Sequence, residues 1–443
     1  MMVDRLLRVL TLADYNTRVV MFGTVMLGVT GGVVGVFLLL RRRALLADAV
    51  SHAALPGVAT AFMLVMAFGG DPRSLPLLLL GALVSGLLGM VCVLMISRYT
   101  RLSQDAALGI VLSVFFGFGI VLLGIIQRMR GAPAAGLNHF IYGRTASMIR
   151  SDALLIGVAA IVVLVITVLL FKEFRLFTFD PGFASGDGWP VHRLDALLMT
   201  LVVSVTVIGL QAVGIILVIA ILVLPPATAR FWTDRLAPMV VLSGVLGAIG
   251  AYAGTALSAS MPRMPAGAAI VVSHGSLFVL SMLFGRVRGV LHELSAQRRL
   301  SRRTLKQNLL RALYECEETG DIATPETQTL HLLRARGWSP RELRMAIRLL
   351  RREKSIYQST DGRWLFSEAG RVRAARVTRN HRLWEVYLLE HADTAPAHVD
   401  QGADYIEHVL GDELISELER AIPRFGKVVP ASVHVIDSAG RPT

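Results

Sequence analysis

Cysteine is nearly missing from this 443-residue chain: there are two, Cys92 in an apolar stretch and Cys316 in a hydrophilic one. That excludes a disulfide framework and a cysteine metal cluster. A phosphate-cradling GxxxxGK[ST] loop is also missing, so the chain is expected to bind no nucleotide and any ATP chemistry belongs to another subunit. Charge is scarce, at 17% of residues, and aromatics make up 7%. What fills the space is apolar: 54% hydrophobic residues, in runs near the ~20 residues that cross a bilayer. The first long run is followed by no small-residue cleavage site, so a removable signal peptide is not expected.

The apolar runs predict spans over 19–40, 44–68, 75–96, 106–126, 152–171, 195–224, 237–258 and 265–284. With the N-terminus outside, Arg41 to Arg43, Arg98 with Arg101, Lys172 with Arg175, and Arg286 with Arg288 fall on the cytoplasmic side. Arg128, Arg130, Arg144 and Arg150 work against that rule in an external loop. The run 195–224 is about 45 Å long as one helix, too long for one upright crossing. Two short crossings broken near Gly209 to Gly214 restore the parity and give about nine segments. Broken helices in transporters line pathways, which makes Gln211 a site candidate; a flexible hairpin between lipid-facing helices explains the break as well. His274, inside the last span, is read as a packing histidine.

The most informative stretch is Arg41 to Gly57. It places Asp48 and His52 in an apolar helix, where a central Asp costs about 2.5 to 3.5 kcal/mol on insertion scales. At i, i+4 they share a face, with His52 about 14 Å beyond Arg43. Pro56 has no N–H to give the His52 carbonyl. A carboxylate, an imidazole and a bare carbonyl on one face suit a divalent metal. An interhelical hydrogen bond that glues the bundle accounts for the same spacing.

The run ADAVSHAALPGV resembles the signature of permease subunits of ABC importers for manganese, zinc and iron. Further matches follow in family order: Thr100-Arg101-Leu102 with Asp105 to Ile110, Gly136 to Phe140, Phe179-Asp180-Pro181, Gly209 to Gly214, and Leu224 to Arg230. The resemblance covers about 15–285. It implies a metal pathway through Asp48, His52, Pro56 and Gln211, and a coupling segment for the ATPase carrying Asp180, Pro181, Ala184 and Gly188. It also implies a separate ATPase subunit, an extracytoplasmic metal-binding protein, a homodimer, and residence in a bacterial plasma (inner) membrane. The chain is then a transport subunit and not an enzyme. Relatives usually carry glutamate where Gly182 stands, and Gly182, Gly186 and Gly188 each weaken a helix by up to about 1 kcal/mol, so the coupling helix is expected to form only on docking.

After Phe284 the composition turns hydrophilic. The stretch 286–303 is arginine-rich and reads as an extension of the last helix along the membrane surface. Basic residues then dominate to Arg382 and acidic ones beyond it. Ser339-Pro340-Arg341-Glu342 is an N-cap, a first-turn proline and a capping-box glutamate. Leu343, Ala346, Ile347 and Leu350 mark one face of the helix that follows; Arg341, Arg344, Arg348 and Arg351 form a stripe on another. Asp361-Gly362 between two short β-prone runs predicts a wing. The pattern is that of a winged helix-turn-helix with a DNA-binding candidate stripe, although a solvated helix face shows the same arginines.

Thr378 to Glu385 and Ala403 to Leu414 resemble the metal-binding and dimerisation domain of the diphtheria toxin repressor and manganese repressor family, over about 304–424. Asp404, Glu407 and His408 share one helix face and His381 with Glu385 another; oxygen and nitrogen ligands suit manganese or ferrous iron. The family also draws ligands from a first helix, where this chain has Asn308 and Arg311, and Asp400 replaces an ancillary histidine. An acidic dimer interface is the competing account.

The expected fold is an all-α polytopic membrane bundle of about nine transmembrane segments with a C-terminal winged helix-turn-helix plus helical dimerisation domain. Its expected divisions are 1–285 permease, 286–303 basic linker, 304–375 winged helix, 376–424 metal-binding and dimerisation, and 425–443 tail. The expected function is ATP-driven import of manganese, zinc or iron, with the metal also an effector of a cytoplasmic regulatory domain. A secondary metal transporter and a membrane-tethered metal-dependent transcription regulator are the alternatives.

Overall fold

The computed structural model describes residues 14–43, 45–70, 74–129, 148–261, 264–319, 324–335 and 337–391. The calls on Arg130, Arg144, Asp400, Asp404, Glu407 and His408 lie outside them. The chain divides into two compact units, 1–292 and 293–443.

In the first unit, α1 (Tyr15–Leu40), α2 (Leu46–Ala67), α3 (Leu75–Tyr99), α4 (Gln104–Arg128) and α5 (Arg150–Leu169) follow the apolar runs. Next come α6 (Phe171–Phe179), α7 (Pro181–Gly186), α8 (Val191–Val213), α9 (Ile215–Arg230), α10 (Leu236–Ser260) and α11 (Ala266–Phe284). Among the described residues, eight helices are long and apolar enough to cross a membrane. The sixteen-residue α9 falls short of the ~20 a full crossing takes. The break in the 195–224 run is real, and it sits at Gly214, whose φ of 84° and ψ of 168° lie in a region open essentially to glycine alone. It leaves a full-length α8 of 23 residues rather than a first short crossing. The reason is that α8 starts at Val191, four residues before the apolar run begins.

α1 is the axis of this unit, packed against α5, α8, α9 and α10, while α2 packs on α3 and α4. Close approach is made by glycine. A Cβ on Gly28 would lie 2.4 Å from the Gly247 carbonyl oxygen, and one on Gly247 would lie 2.1 Å from that of Gly28. With little hydrophobic drive between helices in lipid, such backbone contact holds α1 to α10 together with the Ser243 hydroxyl donating to Gly32 O at 2.7 Å and the Thr24–Thr255 hydroxyl pair at 3.1 Å. Gly28→Ala is therefore expected to lose about 1 to 3 kcal/mol through overpacking. Gly109→Ala and Gly117→Ala, with open space at the added methyl, should be neutral or gain up to about 1 kcal/mol. Thermal unfolding of the detergent-solubilised chain separates them; equal midpoints would refute the packing argument.

α1 ends in a Schellman turn. The Arg43 amide donates to Leu38 O and the Arg42 amide to Leu39 O, both at 3.0 Å. Arg42 occupies the left-handed position, φ 58°, where glycine is the usual residue.

α7 corrects the expectation that the coupling helix forms only on docking. Asp180 Oδ1 accepts the Phe183 amide at 2.8 Å, Pro181 opens the first turn, and Ala184 is fully buried. The cap and the buried contact offset Gly182 in the first turn, while Gly186 is the last helical residue and Gly188 lies beyond the helix.

The second unit contains α12 (Val290–Thr319), α13 (Pro325–Ala335), α14 (Pro340–Arg352), the strands β1 (Ile356–Gln358) and β2 (Trp364–Phe366), and α15 (Glu368–His391). The arginine-rich stretch does not extend α11, which ends at Phe284; from Val290 it forms the start of α12. Leu309 and Leu313 of α12, Leu332 of α13, Leu343, Ala346 and Leu350 of α14, Ile356, Phe366, and Ala374 of α15 form one core. The strands pair antiparallel, Ile356 opposite Phe366 and Gln358 opposite Trp364, around Gly362 at φ 85°. Gln328 of α13 clasps this hairpin, its Nε2 donating to Trp364 O at 3.0 Å and its Oε1 accepting from Trp364 N at 2.9 Å. Helix, helix, helix and hairpin thus occur in the order of a winged helix.

Candidate functional site

On α2, His52 Nε2 stands 3.3 Å from Asp48 Oδ1. Over residues 46–59 the helix is otherwise buried, as at Ala47, Val50, Ser51, Ala54 and Leu55, yet these two side chains keep 21% and 35% of their surface. The His52 ring meets Phe116 of α4 edge-on at 4.7 Å, and its Nδ1 is buried without a hydrogen-bond partner among the described residues. Two donors about 2.1 Å from one ion stand roughly 3.0 to 3.4 Å apart, so the pair fits one divalent metal as well as one hydrogen bond. Among the described residues, no three His, Cys, Asp or Glu side chains gather as a cage. A passing ion held by two side chains would keep water or substrate-side ligands.

One turn further, Pro56 is buried inside α2 and its carbonyl accepts the Thr60 hydroxyl at 2.7 Å. It opens an apolar groove of about 560 Å³ between α2, α3 and α4, lined also by Gly57, Gly81, Ser85, Val114 and Phe118. Asp48 and His52 are not part of that groove. Gln211 lies in the last turn of α8 beside the Gly214 break; its side chain is outside the described set. His274 is a packing histidine by geometry, 1% exposed, with Nδ1 2.9 Å from Ile270 O and Nε2 3.2 Å from Gly247 O.

The segment proposed to meet an ATPase presents Phe183, 61% exposed, from a helix anchored by Ala184. Gly188, at φ 82°, turns the chain into α8. Close by is a charged cluster that sequence reasoning missed. Arg43 Nη1 donates to both oxygens of Asp195 at 2.8 and 3.0 Å, and Arg41 Nη2 reaches the same carboxylate at 3.4 Å. Arg41 Nη1 also donates to Phe177 O at 3.2 Å, with its guanidinium 4.2 Å from the Phe177 ring centre. Burial pulls the Arg41 guanidinium below its ordinary pKa, and the Asp195 carboxylate pulls the other way. The only sequence signal was an acid at the start of a span opposite a cluster of bases.

In the second unit the arginine stripe of α14 is exposed at Arg341, Arg344, Arg348 and Arg351, opposite buried Leu343, Ala346 and Leu350. The capping box forms as predicted: the Ser339 amide and hydroxyl each lie 2.8 Å from the Glu342 carboxylate and hold its pKa below the usual range. Arg351 lies 5.8 Å from the Trp364 ring centre, joining the helix to the wing.

His381 is fully buried on α15; the side chains of Glu385 and the later candidates are not described. Facing demands for a metal, α12 offers a guanidinium: Arg311 is 3% exposed and pairs with Glu315 at 2.6 Å, and the Asn308 Oδ1 is buried without a hydrogen-bond partner among the described residues. Burial and the neighbouring Glu315 and Glu317 push the Cys316 thiol up to about 12, so it offers no thiolate at neutral pH.

Residues 13–285 match the ABC 3 transport family, and residues 367–426 match the iron dependent repressor, metal binding and dimerisation domain. Manganese transport system membrane protein MntC of Bacillus subtilis (strain 168) is 40% identical over 399 residues, covering 90% of this chain and 89% of that protein. Zinc transport system membrane protein TroC of Treponema pallidum (strain Nichols) is 41% identical over 289 residues, 65% of this chain and 95% of TroC. Among solved structures, PsaBC from Streptococcus pneumoniae in complex with Fab aligns with a TM-score of 0.56 at 29% identity, over 65% of this chain and 98% of that one.

Proposed function

The chain belongs to the ABC 3 transport family, and from that premise we propose that it is the membrane subunit of an ATP-driven importer for manganese or a closely similar divalent metal. It is a multi-pass permease of a bacterial plasma membrane, with a second, repressor-like unit attached. The observation that carries the reading is the Asp48–His52 pair: an acid and an imidazole 3.3 Å apart in an apolar bundle, with one imidazole nitrogen unpartnered among the described residues. Manganese is favoured over zinc by a nitrogen and oxygen donor set without thiolate and by the long match to MntC. α7 docks the separate ATPase through Phe183 and its neighbours, and an extracytoplasmic binding protein delivers the ion. Uptake by the chain reconstituted with its ATPase and binding protein, read against manganese, iron and zinc, tests this. Uptake that runs without ATP would instead identify a secondary transporter.

The attached unit is cytoplasmic by the positive-inside rule, senses internal metal and restrains its own permease. In a homodimer two such units lie close, at the high effective concentration that tethering gives. His381, Glu385, Asp404, Glu407 and His408 hold the effector metal. Arg311 replaces one ligand with a fixed positive charge, so the response is graded: a full switch from 1:99 to 99:1 needs about 10⁴-fold preference for one state. Deleting 304–443, or combining Glu407→Gln with His408→Ala, is expected to leave uptake intact and remove its inhibition by metal loaded inside vesicles. Equal inhibition of the full and truncated chains would end the feedback idea.

A further inference from the structure

The coupling segment is gripped on both sides by one turn of chain. Phe177 lies four residues before α7 and is held by Arg41; Asp195 lies nine residues after it, near the start of α8, and is held by Arg43 and Arg41. Those arginines sit in the Schellman turn between α1 and α2, and Asp48 comes five residues after Arg43 on α2. We propose that Asp195, with Arg43 and Arg41, is the joint that carries movement of the ATPase-docking segment to the helix bearing Asp48 and His52; this rests on the importer reading above.

The parts suit that task. One Arg43 nitrogen lies within hydrogen-bond reach of both Asp195 oxygens and Arg41 reaches the same carboxylate, so two charged donors hold one acceptor. All three side chains are largely out of water, with 13 to 15% of their surface left, so the pairing is little screened. Phe177 is fully buried beneath the Arg41 guanidinium, and Phe37 at the end of α1 meets Phe174 edge-on at 5.5 Å. α6 therefore cannot shift without moving the end of α1. Arg42, held left-handed where glycine would bend freely, makes the turn stiff rather than slack. One carboxylate shared by two guanidiniums also makes the joint sensitive to its loss, because two nearly buried cations are then left facing each other.

The readout is metal ions moved per ATP hydrolysed, by the full chain with its ATPase and binding protein in proteoliposomes. Partial misfolding lowers uptake and permease-dependent hydrolysis together and leaves that ratio alone. Asp195→Asn is expected to lower the ratio about tenfold or more while hydrolysis continues, as breaking a buried pair implies. Asp195→Glu should recover much of it, and so should the exchange Arg43→Asp with Asp195→Arg. A ratio equal to wild type in Asp195→Asn overturns the joint while the importer reading stands; so does an exchange variant that hydrolyses ATP but stays uncoupled like Asp195→Asn. Wild-type chains that show no ATP-dependent uptake overturn the importer reading and the joint with it.

Discussion

Asp48→Ala and His52→Ala are each expected to abolish metal uptake while membrane insertion and ATPase association persist. Both side chains retain exposed surface where the rest of residues 46–59 is buried, and this is the surface the importer reading assigns to the passing ion. Losing one donor to a charged partner costs about 1.5 to 3 kcal/mol, or about 10- to 100-fold in affinity for the passing ion. Folding should not suffer, because each change removes a polar group from the apolar phase and adds none. The adhesive alternative predicts the reverse pattern: Asp48→Asn with His52→Gln would keep its hydrogen bond and its transport. Uptake at wild-type rate in Asp48→Ala with His52→Ala would sink the pathway assignment.

That pair was legible in the sequence because both residues lie on one helix at i, i+4, so local spacing alone gives their distance. The Gly214 break was legible for a similar reason, a span too long for the bilayer with glycines inside it. Asp195 was not, since its partners stand 152 residues away and nothing local marks them. α7 was misjudged because helix propensity was summed without Asp180 as a cap or Ala184 as an anchor, and tertiary contact decided the outcome. The start of α12 was read as a continuation of the last helix, whereas the chain leaves the helix between Phe284 and Val290, where Gly285 and Gly289 are poor helix formers. Apolar periodicity placed Leu343, Ala346 and Leu350 in a core because amphipathic spacing survives any tertiary arrangement.

The attached unit is expected to bind duplex DNA with an affinity that collapses as salt rises. Arg341, Arg344, Arg348 and Arg351 fall at i, i+3, i+7 and i+10 on α14, a stripe about 15 Å long at 1.5 Å per residue. That is close to the ~12 Å width of the major groove, so one stripe can meet phosphates along it. The opposite face is pinned in the core, and the Arg351 to Trp364 contact sets the hairpin beside the stripe as a wing. Each phosphate neutralised contributes about −0.9 to the slope of log affinity against log salt. Four contacts give about −3.6, a loss on the order of 100-fold between 50 and 200 mM salt. Arg344→Ala and Arg348→Ala should each weaken binding across all sequences and make the slope shallower by about 1. The unit 293–443, which has its own core, and the full chain in nanodiscs should behave alike in a fluorescence anisotropy titration. A folded fragment that binds no duplex at low salt, with or without manganese or iron, would leave the stripe as a solvated helix face and the attached unit as a regulator of the permease alone.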